Sequence, residues 1–174
     1  FLSKYGVQQA YGEIFMSAQN ELTLVGEDYD KAFTEVSFLL DMFIETIVTF
    51  VGKSTPSLAV AAGRKMAGNF PVHMVQNTPE EAIAECVRVF RVQQMEIEGV
   101  CEGNKAQLEI NHCPIGSVCT NRQMELGGQA CQMFHYYFAG ILAELSGRPT
   151  RPMSFEAGEK CSIQLAFAAA RPGM

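Results

Sequence analysis

Residues 78–111 read TPEEAIAECVRVFRVQQMEIEGVCEGNKAQLEIN, and the hydrophobic period changes partway along them. Ala82, Ile83, Cys86, Val87, Val89 and Phe90 recur at helical spacing. Thr78 is placed to cap that helix, Pro79 suits its first position, and Glu81 completes a capping box. From Met95 the period becomes two. Met95–Cys101 and Lys105–Asn111 alternate on either side of Glu102-Gly103-Asn104, which predicts a β-hairpin. A helix feeding directly into an antiparallel hairpin points to the α+β class.

Upstream the pattern is helical. Val7, Ala10, Tyr11, Ile14, Phe15 and Ala18 predict a helix over Tyr5–Asn20, followed by a loop at Gly26-Glu27-Asp28. Tyr29–Val51 forms a second, with Phe33, Val36, Leu39, Leu40, Phe43, Ile44 and Ile47 on one broad face and a break at Gly52. Thr55-Pro56 opens a third, which runs to Ala67 and stops at Gly68. Phe70–Asn77 is a connection.

Downstream, Pro114 and Gly116 mark a loop, and a helical stretch ends or bends at Gly127-Gly128. A long helix runs from about Gln129 to Leu145 and ends at Gly147. After an irregular connector, Arg148–Pro152, a second hairpin follows. It comprises Met153–Phe155, the turn Ala157-Gly158-Glu159, and Cys161–Ala168. The expected architecture is N-terminal helices with an antiparallel sheet of two hairpins flanking a long helix. Residues 1–28 form an N-terminal helix and loop, and residues 29–174 a single ligand-binding domain.

Composition narrows the function. A net charge of −6 and a pI near 5.1 exclude the basic footprint of a nucleic-acid binder. Only 18% of residues are charged, so some apolar surface is expected to be covered by a ligand, a second copy in a homodimer, or another protein. The most apolar stretch, Val36–Val51, is interrupted by Asp41 and Glu45, so no membrane span is expected. No secretion-signal pattern is present, and the cytoplasm is the expected location. There, clustered cysteines serve metal, redox or packing roles rather than staples.

The chemistry-bearing residues lie between His112 and Cys161. Cys113 and Cys119 follow a strand, Cys131 and His135 share one face of the long helix, and Cys161 opens the last strand. Cys113, Cys119, Cys131 and Cys161 can converge on zinc or an iron–sulfur cluster, because soft thiolates select those metals. The alternative is four core thiols. Met133, Phe134, His135, Tyr137 and Phe138 suit an apolar ligand pocket, or simply the core. Cys113-Pro114 matches the Cys-Pro pair of some haem-responsive loops. No Gly-x-Ser-x-Gly, P-loop, His-Glu-x-x-His or Gly-x-Gly-x-x-Gly is present. No catalytic residue is assigned, although a cysteine nucleophile at Cys113 or Cys131 remains open.

Two stretches carry a family likeness. They are Ala130–Gly147 (ACQMFHYYFAGILAELSG) and Glu156–Ile163 (EAGEKCSI). With Ala62-Gly63-Arg64, Gly68 and Glu80-Glu81-Ala82, they resemble the 4-vinyl-reductase domain, also called predicted hydrocarbon-binding proteins. Relatives of that superfamily include aromatic-sensing regulator domains, proteins linked to bacteriochlorophyll synthesis, and vesicle-tethering subunits. The resemblance covers roughly residues 38–167 and implies a dimer with a hydrophobic pocket. The domain would then bind an apolar, aromatic or tetrapyrrole-like ligand, as sensor, carrier or assembly factor. In the aromatic sensors a zinc is held by the helix-opening Cys, a Glu and two Cys of the last hairpin. Cys131 and Cys161 match, whereas Met153 or Ser154 and Arg151 stand where the others fall. Cys113 and Cys119 would have to substitute. Cys113-Pro114 and the Gly-turn-Cys ending also resemble aminothiazoline-carboxylate hydrolases, which implies a small cysteine-dependent hydrolase. A structural subunit of a larger complex is the third reading.

Overall fold

The structure, a computed structural model, describes residues 25–158 and 160–169. The helix expected over Tyr5–Asn20 lies outside the described residues. The chain divides into two compact units, residues 1–36 and 37–174. The described part of the first unit is the opening of helix α1 (Gly26–Val51). That helix starts earlier than its sequence suggests, because Asp28 is a cap residue rather than loop. The Val25 N–H donates to the Asp28 carboxylate at 3.0 Å, and Glu27 and Asp28 complement the dipole of the first turn.

In the second unit α1 ends at a 3₁₀ turn (Gly52–Ser54), and α2 (Thr55–Ala67) follows with Pro56 in its first turn. Helix α3 (Pro79–Val92) starts as expected, with the Glu81 N–H donating to Thr78 Oγ1 at 3.2 Å. The reciprocal half of the capping box is absent. The Glu81 carboxylate instead accepts from the N–H groups of Val75 and Gln76, pinning the preceding connection. Strands β1 (Glu96–Glu102) and β2 (Lys105–Asn111) form the first hairpin, with Glu102 opposite Lys105.

The segment expected as a loop at Pro114 and Gly116 is helix α4 (Pro114–Arg122). Proline is favoured at a first helical position, and Ile115, Val118 and Cys119 repeat at helical spacing. Helix α5 (Gln129–Ser146) ends at Gly147. Strand β3 (Thr150–Glu156) begins before Met153, inside the expected connector. It tolerates Pro152 because it is an edge strand with a bulge there. Strand β4 (Lys160–Phe167) closes the second hairpin. Among the described residues the sheet is four-stranded and antiparallel, in the order β1-β2-β4-β3. This is the expected α+β class.

One face of that sheet is apolar. Ile97, Ala106, Leu108, Ile110, Ile163, Leu165 and Phe167 are buried, and α3 and α5 cover them. Helix α2 packs on α5 at close range. A Cβ at Gly140 would strike the Val60 carbonyl, and one at Gly63 the Tyr137 carbonyl, so both positions require glycine for close approach.

Candidate functional site

Four cysteines come from three stretches of chain. Cys113 is the N-cap of α4, Cys119 lies two turns further on, Cys131 is in the first turn of α5, and Cys161 is the second residue of β4. All are buried, and all are free thiols. Strand pairing sets Cys161 opposite Ile110, just before β2 turns into Cys113. The four thiols fall into two pairs rather than one group. Cys113 and Cys161 belong to the main apolar cluster, Cys119 and Cys131 to a smaller one, and Ile115 packs against both.

The neighbouring Cys161 thiol holds the Cys113 thiol down to about 6 against the cost of burial. The neighbouring Cys113, and then burial, pushes the Cys161 thiol up. Burial, followed by the neighbouring Cys131, Cys113 and Asp41, raises the Cys119 thiol to about 11. The pairs also sense one another, Cys113 acting on Cys119 and Cys131 on Cys161.

His135 joins this cluster from α5. Its Nε2 lies 3.2 Å from Cys161 Sγ, and its ring tilts against Phe155 with centroids 4.4 Å apart. The imidazole is 1% exposed, and burial lowers its pKa to about 4, so it is neutral. The other ring nitrogen, Nδ1, has no protein partner. Leaving a buried polar atom unpaired costs about 1–3 kcal/mol. Ser37 Oγ and Asn111 Oδ1 are in the same position elsewhere among the described residues.

This donor set of sulfur and imidazole suits a thiophilic metal ion. The arrangement is not a finished shell: among the described residues no three His, Cys, Asp or Glu side chains are drawn together to hold a metal ion. Binding one ion on all four thiols requires the two pairs to close on each other. The sensor-type zinc site fits less well. Arg151, Met153 and Ser154 stand on an edge strand and are exposed.

The aromatic stripe is placed differently from a pocket lining. Phe138 is fully buried, with Phe90 and Phe134 rings at 5.0 and 4.9 Å, and Tyr137 stacks at 6.5 Å from Phe134. These four rings pack in or against the main core. Met133 lines an open cleft of about 250 Å³ with Tyr136, Gln132 and the start of α2. That is below the roughly 300 Å³ at which small-molecule pockets begin. His73 donates its backbone N–H to Glu85, a structural bond.

The contact between His135 and Cys161 was missed by sequence spacing, which paired His135 with Cys131 along one helix face. Only the strand register brings β4 to that face, and no local signal announces it. No helix among the described residues is long and apolar enough to cross a membrane. No protein-family model matches the chain, and no curated protein matches it.

Proposed function

We propose that this domain binds a thiophilic metal cofactor, zinc or an iron–sulfur cluster, on Cys113, Cys119, Cys131 and Cys161, as a sensor, carrier or assembly domain. The observation that carries this reading is two pairs of buried thiols, Cys113 with Cys161 and Cys119 with Cys131, with Cys161 beside a neutral histidine that has an unpaired nitrogen. A core built only for stability has little use for four thiols and an unsatisfied imidazole. The likeness to 4-vinyl-reductase domains, with its helix-opening Cys131 and hairpin Cys161, supports the same reading. Six free thiols fit a reducing compartment such as the cytoplasm. The apolar-ligand form of the reading has less support, because Phe134, Tyr137 and Phe138 are spent on the core. Burial of Cys113 (6% exposed) and Cys131 (4%) weighs against a hydrolase that must admit a substrate to its nucleophile.

Metal content and an absorption spectrum on protein purified without oxygen test the proposal. About one zinc per chain, or a broad brown absorbance with iron and sulfide in matching amounts, upholds it and names the cofactor. Protein that holds neither as purified, and takes up neither zinc nor reconstituted iron and sulfide, overturns it.

The partner in this reading is a second copy of the chain. Leu39, Phe43 and Phe50 on one face of α1 are between 54% and 85% exposed. An apolar helix face of this kind pairs readily with itself. The dimer implied by the family resemblance supports the same occupant. Light scattering on purified protein is expected to give twice the chain mass, reduced to the chain mass by Phe43→Glu. A monomer before substitution removes this part of the proposal.

A further inference from the structure

We propose that the outer face of the sheet carries a second site, a cleft that binds a neutral planar ring with a lactam edge, of the pyridone or uracil kind. The site is separate from the thiols and stands whether or not they bind metal. Cys161, Ile163 and Leu165 face the core, while Ser162 and Gln164 alternate onto the other face. Strand register sets Val100, Gln107, Gln164 and Ser154 in one row across that face. A cleft of about 350 Å³ opens there, inside the roughly 300–1,000 Å³ range of small-molecule pockets. Val100 walls it on the β1 side and Met153 on the β3 side, and both side chains are more than half exposed. Met153 reaches that position as the extra residue of the β3 bulge, and a bulge re-aims the side chain it carries.

The floor of the cleft has a fixed polarity. Gln107 donates its amide N–H groups to Glu109 Oε1 at 2.9 Å and Ser162 Oγ at 3.3 Å, which leaves its carbonyl oxygen as the free acceptor. Gln164 is held the other way round. Its Oε1 accepts from Ser154 Oγ at 3.0 Å, which leaves its amide nitrogen as the free donor. The two residues are direct partners across β2 and β4, so an acceptor and a donor stand side by side in the cleft. A lactam edge, with N–H next to C=O, answers both at once. A carboxylate answers only the Gln164 nitrogen, and an ammonium only the Gln107 oxygen. The surrounding charge also selects a neutral ligand. Glu102 stands across from Lys105 at one end of the cleft, and Glu98 faces Glu109 in the next row, which disfavours an anion. Val100 and Met153 supply apolar contact to the ring, and a thioether packs well against a flat aromatic system.

The experiment titrates uracil into the isotope-labelled full chain and follows its amide resonances by NMR. The expected result is a saturable shift of the Gln107 and Gln164 side-chain amides, together with the backbone amides of Val100 and Met153. Fully N-methylated uracil keeps the ring and both carbonyls but has no N–H. It should bind about tenfold more weakly, the worth of one hydrogen bond. Uridine monophosphate presents the same kind of edge on an anion and should also bind more weakly than uracil. Gln164→Glu removes the donor at an exposed position, so the chain stays folded while uracil binding falls about tenfold. Shifts that never saturate, or that fall only on other residues, overturn the proposal. So does equal binding of uracil and its N-methylated form, or full binding to Gln164→Glu. Tighter binding of the nucleotide than of uracil overturns the neutral ligand class.

Discussion

The second unit holds two apolar clusters built on different terms. The larger lies between α2, α3, α5 and the sheet, and nearly all its members are aliphatic or aromatic. The smaller gathers Ile44, Cys119, Ala130 and Cys131, with Leu40, Val48, Met124 and Met133 around it. Side-chain volume explains the first: Leu108, Ile110, Phe138, Ile141, Leu142 and Ile163 are all fully buried. Volume does not explain the second, where half the buried members are thiols. Cys113 and Cys161 belong to the larger cluster, and His135 touches Cys161 there. The contrast between a core set by volume and one half made of thiols can be broken by substitution.

The largest effect belongs to the larger cluster. Phe138→Ala is expected to cost about 3–5 kcal/mol, which lowers the melting temperature by roughly 10 °C. Metal content per folded chain should not change. A loss of ligand binding or metal without that loss of stability would return Phe138 to the pocket role its sequence suggested. Gly140→Ala comes next and has an opposed expectation built in. Helix propensity alone makes alanine about 1 kcal/mol more stable than glycine. The close approach to the Val60 carbonyl predicts a loss of about 3 kcal/mol instead, since backbone cannot swing aside. A denaturant titration gives the sign directly, and a gain would mean that α2 and α5 are not in close register.

A third substitution asks whether every buried polar group marks chemistry. Glu85 is buried, yet its carboxylate accepts from Arg88 Nε and Nη2 and from the His73 N–H at 2.7–2.9 Å. It is satisfied and structural, tying the connection before α3 to that helix. Glu85→Ala is expected to cost about 1–2 kcal/mol at pH 7, a modest figure because Arg88 is partly exposed. Arg88, then the His73 N–H, hold the Glu85 pKa below the ordinary carboxylate range against burial. A depressed folded pKa gives stability that is present above the unfolded value, about 4.3, and is lost as pH falls through the folded value. The difference between variant and parent should therefore be full at pH 7 and shrink in acid. Urea midpoints at pH 7, 5 and 3 measure it, and a difference that grew on acidification would contradict the assignment.

Much of this fold was legible locally. The switch of period at Met95, the Thr78-Pro79 start and the Gly68 and Gly147 stops are written in adjacent residues, and the structure keeps all of them. The misreadings came where one residue type serves two ends. Pro114 breaks a strand and also opens a helix; Asp28 suits a loop and also a cap. The four cysteines could be named from sequence, because their residue type marks them. Their division into pairs could not, since it follows from the β2–β4 register and from α4 being a helix. His135 was noticed for its place beside Cys131, yet its Nε2 faces Cys161, a strand away.

The smallest effect on stability tests the smaller cluster. Cys119→Ala removes one sulfur from a fully buried site and is expected to cost about 1 kcal/mol, as for a small apolar truncation. If the thiols hold a metal, the same change should remove most of it and abolish any stabilisation that added zinc gives the parent. Thermal unfolding with and without zinc, beside metal analysis, separates the two roles in one experiment. A loss of several kcal/mol with metal content untouched would make Cys119 an ordinary core residue. The two clusters would then differ in size and not in kind.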